Sequence, residues 1–457
     1  MRPFFVILLV VFCSLIKGQN ILRLKKGNDC PPHIGKHISI YIDETALQTI
    51  NEVTTPGAVK QFTASSHDIL NFNITKSAIW CKFSATSPEQ GDWLVQYTNS
   101  SNNKIDLYTF KNGGLIRTQH GGIPYPKEER TLVGGHILFD LDLKPGDTLT
   151  YFLRSVGSGP MVIALRAADI RSFFEEDHTL NLLHGMFYGI MFLMVLYNLF
   201  LFFTNRNKVY IYYIFYIIFS TLFIAFFIGY IYVLPEFFLF MFNRFPVLVP
   251  ALFGFFGLLF TVEFLNTKKL APKLHKAIMV FIMLVLLPVF LAISGYPHES
   301  VAIIQVFGIV LAIISFATGI TVLRKGYRPA KFYVVGFGAY MLGLVILIVT
   351  NATHISIGGI EAYSLEIGSA IEAIMLSFAI GDKLNIANYE NEKLIREQNT
   401  MLEQKVKERT AELEEQKDIV EEKNKEITDS IKYAKRIQTA LLPSDKYFEK
   451  HFKGLKK

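Results

Sequence analysis

The chain has 457 residues, 51% of them hydrophobic, with 40 Phe, 21 Tyr and a net charge of +7. Its mean hydropathy of +0.33 is above that of an ordinary soluble domain and places it in a membrane class. A charge this modest points to no nucleic-acid partner, and the three cysteines have no metal-ligand spacing.

Residues 1–19 read as a signal peptide. Arg2 precedes the thirteen-residue run Phe4–Ile16, and small and polar residues follow. Such a run is too short for a hydrocarbon layer of about 30 Å but suits a signal-peptide core. A lipoprotein signal around Cys13 fails because the bulky Phe12 precedes it. The next segment is therefore expected outside the membrane. It holds Cys30 and Cys81, which are read either as two free thiols or as one disulfide.

Residues 20–170 alternate short β-rich runs such as "SAIWCKFSA", "KIDLYTFKNGG" and "HILFDLDLKPGD" with turn clusters. Period-two alternation and Gly/Asn/Pro turns predict an antiparallel β-sandwich or jelly roll. No nucleophile–base pair, metal-ligand spacing or phosphate loop is found in it, so neither catalytic nor metal-binding residues nor a cofactor are expected. His33, His37, His67, His120 and His136 are scattered and read as surface residues. Trp80 and Trp93 are the only tryptophans, and Trp80 in its strand pattern reads as core. Trp93, with Tyr125 and Arg130 of "GGIPYPKEER", forms the candidate lining of a small-ligand groove.

Residues 171–385 form the expected seven-span domain. Apolar runs fall at 180–203, 209–234, 245–266, 277–296, 301–323, 331–351 and 362–381. Each has the length of a spanning helix, the only open-ended element that satisfies its own backbone in lipid. The loops after the first, third and fifth runs carry Arg206 and Lys208; Lys268, Lys269, Lys273 and Lys276; and Arg324, Lys325, Arg328 and Lys331. The opposite loops hold at most Arg244. Charge bias and secretion thus agree on an outside amino-terminal domain and a cytoplasmic carboxyl terminus.

Ionisable side chains inside spans default to function. His184 and Asn198 lie in the first span, and Glu366 and Glu372 in the seventh, with Ser369 midway between the two glutamates. They are candidates for an intramembrane polar relay, against the plainer reading of a static interhelical contact. A retinal pigment is disfavoured because the seventh span has no mid-membrane lysine. A transporter is disfavoured because no repeat links the halves.

Between Gly381 and Pro443 there is neither glycine nor proline, and residues 386–441 carry 13 acidic and 11 basic side chains. Val406, Leu413, Val420, Ile427, Ala434 and Leu441 recur every seven residues. This is a coiled-coil seam over 386–442, pointing to a homodimer; a single solvated helix is the alternative.

The order of parts resembles the bacterial seven-transmembrane receptors with diverse intracellular signalling modules. The external phrases "IWCKF", "WLVQY", "IDLYTF" and "FDLDLKPGDTLTYFLR" look like that family's second extracellular domain type. "HGMFYGIMFLMVLYNLFLFF" and "EIGSAIEAIMLSFAIGDKLN" are similar to its first and last spans, over residues 60–385 in all. The resemblance implies a jelly-roll fold that binds carbohydrates or other small ligands and a place in a bacterial inner membrane, and it puts the family's motif Asn and Glu on Asn198 and Glu372. The tail "EITDSIKYAKRIQTALLPS" is similar to the lead-in helix of SpoIIE-type phosphatase domains. In the tail 443–457, the closing "FEKHFKGLKK" holds no carboxylate besides Glu449, too few for a two-metal centre, so no output domain is expected in this chain. The expectation is thus a receptor rather than an enzyme. It would sense an extracytoplasmic small ligand, contact membrane lipid and hand its signal to a separate cytoplasmic output protein. The alternative is a receptor-type phosphatase cut short.

Overall fold

The computed structural model describes residues 21–26, 33–97, 103–130, 137–353, 363–441 and 445–452. The signal-peptide stretch and Cys30 lie outside the described residues.

The first part is a β domain. Its strands are β1 Leu22–Arg23, β2 Ser39–Asp43, β3 Thr63–Ala64, β4 Leu70–Ile74, β5 Ala78–Thr86 and β6 Trp93–Tyr97. They continue with β7 Asn103–Lys111, β8 Gly114–Gly121, β9 Ile137–Asp140, β10 Thr148–Gly157, β11 Pro160–Ile163 and β12 Leu165–Asp169. The large sheet runs β3-β2-β5-β10-β7-β8, with β1 added parallel to β5. Two smaller sheets, β12-β6-β9 and β11-β4, complete the domain. Alternate residues of β5, β7 and β10, among them Ile79, Cys81, Phe83, Ile105, Leu107, Tyr151 and Leu153, enter one core together with residues of β6, β9, β11 and β12. Each such side chain, fully buried, stabilises by about 1.5–3 kcal/mol.

Every side chain of β6 is buried, so Trp93 belongs to this core and presents no face to a ligand. This corrects its place among the candidate groove residues. Trp80 points to the other face of the large sheet, where Phe152, Tyr108, Tyr41 and the helical segment around Val53 cover it. Cys81 carries a free thiol, pushed up to about 12 by burial.

After β12 the chain enters the helix Ile170–Asn205, whose N-terminus is capped by the Asp169 side chain. Among the described residues six helices are long and apolar enough to cross a membrane: Asn181–Asn205, Lys208–Phe227, Pro272–Ile293, Pro297–Arg324, Ala330–Thr350 and one beginning at Ser364. The third expected span, which brings the count to seven, falls on the 17-residue helix Leu248–Phe264, about 25 Å long and at the lower limit of spanning length. The helix Glu236–Arg244 precedes it and is bent from it by 88°. The break falls beside Pro246, which removes a backbone donor.

Small residues let the last two spans approach closely. A Cβ on Gly343 would come within 2.2 Å of the Ser364 carbonyl oxygen, and one on Gly368 within 2.8 Å of that of Ala339. At the end remote from the β domain, Lys208 pairs with Glu263 at 3.3 Å, joining the start of the second span to the third.

Two compact units divide the chain, residues 1–381 and 382–457. The seventh span belongs to the helix Ser364–Leu441. In the second unit Val406, Leu413, Val420, Ile427 and Leu441 are all at least half exposed, and Ala434 is exposed too. Ion pairs at i,i+3 and i,i+4, such as Arg409 with Glu412 at 2.9 Å, decorate this stretch.

Candidate functional site

Two polar constellations stand out, one on the β domain and one inside the bundle. On the outer face of the large sheet, cross-strand register brings Trp80 opposite Arg154, Arg154 opposite Asp106, and Asp106 opposite His120. The side chain of Asp106 is only 5% exposed, so it needs partners to remain there. His120 Nδ1 lies 2.8 Å from its Oδ1, the Tyr125 hydroxyl donates to the same oxygen, and Arg154 Nη1 is 3.9 Å from Oδ2. Burial and the Asp106 carboxylate push the Tyr125 hydroxyl above its ordinary range. The Arg154 guanidinium lies over the Trp80 ring at 5.8 Å, and Trp80 stacks on Tyr108 at 5.9 Å. Lys104 sits 4.7 Å above the Tyr125 ring. On the solvent side of this cluster, Lys104 is exposed and Tyr108, His120 and Tyr125 are partly exposed, an aromatic and cationic strip.

The same loop reaches the bundle. Arg130 donates from Nε and Nη2 to the Tyr125 carbonyl at 2.9 and 2.7 Å, so two of the sequence candidates are held together. The guanidinium of Arg130 then covers the Tyr232 ring at 5.5 Å, and Ile123 is buried with Ile231, Leu239 and Phe242. Gly122 carries φ +101, and a Cβ there would meet the Asn103 carbonyl at 1.9 Å, so the turn requires glycine. A second contact is the exposed pair Lys76–Glu299 at 2.8 Å, beside Ile74, which packs with Val301 and Ile304.

Inside the bundle the seventh span presents a polar face at spacings of three and four. Glu366 Oε1 lies 2.7 Å from His184 Nδ1 of the first span. Ser369 meets Ser220 of the second span at 3.4 Å, and Glu372 Oε1 accepts the Tyr216 hydroxyl at 2.7 Å. Next, the Ala373 carbonyl accepts the Tyr213 hydroxyl at 2.5 Å. Asn198 of the first span then donates to Ser377 at 3.2 Å and to the Met194 carbonyl at 2.8 Å. The order is consistent: along the seventh span, first-span partners rise from 184 to 198 and second-span partners fall from 220 to 213. Alternating helix directions demand that order. Glu366 and Glu372 are 3% and 1% exposed, so the whole ladder is shut from its surroundings. The outer rung is flanked by rings, with His184 4.8 Å from Tyr230 and 5.5 Å from Tyr363.

All four intramembrane candidates therefore lie on one seam, though Glu366–His184 and Glu372–Tyr216 are separate rungs. Sequence reasoning missed Tyr213 and Tyr216, which "YIYYIFYIIFS" carries at i, i+3 spacing, and it missed the Asp106–His120–Arg154 cluster. Among the described residues no group of three or more His, Cys, Asp or Glu could hold a metal ion.

A β domain seated on a bundle of apolar helices with a buried polar seam defines a multi-pass membrane protein with an extracellular amino-terminal domain. Residues 35–169 match the sequence model for 7TMR-DISM extracellular 2, and residues 180–383 that for 7TM diverse intracellular signalling. The chain belongs to the seven-transmembrane receptors with diverse intracellular signalling modules, a transmembrane signalling class. Both matched families are receptor domains and not catalytic ones.

No curated relative matches the chain. Among solved structures it is similar to TmCBM61 in complex with β-1,4-galactotriose, at 13% identity and a TM-score of 0.19 over 30% of this chain and 94% of that one. It is also similar to the β-glucosidase from Kluyveromyces marxianus in complex with glucose, at 14% identity and a TM-score of 0.18 over 29% of this chain and 15% of that one.

Proposed function

We propose that the β domain binds an extracytoplasmic carbohydrate or small metabolite on the strip formed by Lys104, Tyr108, His120 and Tyr125. Binding would shift the seventh span against the first two, and a parallel dimer seam in the helix that continues it would pass the change to a cytoplasmic output protein. The observation that carries this reading is the polar ladder of Glu366, Ser369, Glu372 and Ser377, because one helix bears both it and the heptad seam. Rungs of this kind are weak in membranes, about 0.6 kcal/mol each on average, so modest ligand energies are enough to exchange them.

Support for the ligand strip comes from partly exposed aromatic rings beside fixed charges, which suit the apolar faces and hydroxyls of a sugar. The placement of the output side in the cytoplasm rests on the basic loops around residues 206, 268–276 and 324–331. The test is a thermal-shift panel of neutral and acidic oligosaccharides on the full-length, detergent-solubilised receptor. A cognate ligand raises the unfolding midpoint, and Asp106→Ala abolishes the shift. Stabilisation that survives Asp106→Ala unchanged would move the ligand elsewhere.

A further inference from the structure

The short helix Glu236–Arg244 is unlike the others, because it is bent by 88° from the span Leu248–Phe264 that follows. A helix at right angles to a spanning one runs along the membrane plane. At about 100° per residue, Leu239 and Phe242 fall on one face and Phe237, Phe240, Met241 and Arg244 on the opposite one. The first face is closed: Leu239 and Phe242 are 4% and 2% exposed, packed with Ile123 of the β domain and with Ile231, Leu222, Phe226 and Val249. The second is open, with Phe237 at 65% and Phe240 at 60% exposure. Contact with Ile123 fixes the level of the helix at the end of the bundle that faces the β domain.

We propose that this helix is a membrane-surface element embedded in the leaflet on the side of the β domain. Phe237, Phe240 and Met241 enter the acyl boundary, and the exposed Arg244 guanidinium sits at the level of the lipid phosphates. Three observations favour lipid over other occupants. The axis is perpendicular to an adjoining span, the open face is aromatic as at a membrane interface, and its single cation lies at one end, where a long side chain reaches headgroups. The β domain therefore rests on one face of the helix while lipid holds the other.

The experiment uses the full-length protein in phosphatidylcholine vesicles. Native Trp80 and Trp93 are wholly buried in the β domain, so Phe240→Trp adds one accessible reporter. Its emission is expected to fall at least about twofold when the lipid chains are brominated next to the headgroup, and less when they are brominated at the chain ends, as suits a depth of about 5–10 Å. Wild-type emission is expected to stay unchanged. Phe237→Trp should behave alike and guards against a local defect in one variant. Absence of quenching in both variants, or stronger quenching from the chain ends, overturns the proposal. Quenching that disappears as the protein-to-lipid ratio rises also overturns it, since a second copy then covers the face.

Discussion

Glu372 of the seventh span accepts a hydrogen bond of 2.7 Å from the hydroxyl of Tyr216 in the second span, with both side chains buried. Removing either partner leaves a polar group unpaired in an apolar setting. Tyr216→Phe and Glu372→Leu, combined in a double-mutant cycle, are predicted to show a coupling of about 0.6–1.7 kcal/mol. Thermal unfolding in detergent measures it, and a coupling near zero would make the contact incidental.

On the β domain, Asp106 satisfies His120, Tyr125 and Arg154 at once. Asp106→Ala leaves the Tyr125 hydroxyl without its acceptor and the Arg154 guanidinium, which keeps its bond to the Ala46 carbonyl at 2.7 Å, without its counter-charge, and is predicted to cost about 1–3 kcal/mol of stability. Lys76→Ala, which breaks the exposed pair with Glu299, is predicted to cost less than about 1 kcal/mol. Denaturant melts of the two variants in parallel give the comparison.

Close helix approach makes its own prediction. Gly343→Ala places a methyl against the Ser364 carbonyl and is expected to lose about 1–3 kcal/mol. Gly308 has open space where a Cβ would go, so Gly308→Ala is expected to be neutral or slightly stabilising. The difference in melting temperature between the two variants reads this directly.

The buried thiol predicts a pH effect. Burial raises the Cys81 thiol from 9.0 to about 12, so the folded protein holds a proton that the unfolded chain gives up earlier. The stability tied to that proton is fully present below pH 9 and is lost as pH rises toward about 12. Cys81 is therefore expected to resist thiol reagents at pH 8 in the folded receptor and to react once it is unfolded. Rapid labelling of the native protein would contradict its burial.

Much of this architecture is legible in the residue pattern, for physical reasons. Spans are one-dimensional periodicities, so most of their ranges sit within a few residues of the observed helices, although the second helix ends at Phe227, well before the expected 234. The spacing of Glu366, Ser369 and Glu372 likewise places them on one helical face. Their partners are not legible, because the register between two spans leaves no trace in either one; Tyr213 and Tyr216 look like any aromatic residues of an apolar run. Asp106 and His120 are concealed similarly, since their pairing depends on the turn at Asn112–Gly113. Trp93 misleads because it follows the turn residues Gly91 and Asp92, yet begins a strand buried on both faces. The Phe-rich stretch 236–245 reads as a loop between spans, because an 88° bend is a tertiary outcome that composition does not reveal.

The central claim is that a change at the β domain reaches the heptad seam through the ladder on the seventh span. The direct measurement is disulfide crosslinking of full-length Val420→Cys in vesicles, with and without a ligand found by thermal shift. The account predicts that ligand changes the crosslinked fraction, and that Tyr216→Phe weakens the change while binding persists. A crosslinked fraction that ligand leaves unaltered in the otherwise native receptor would contradict it.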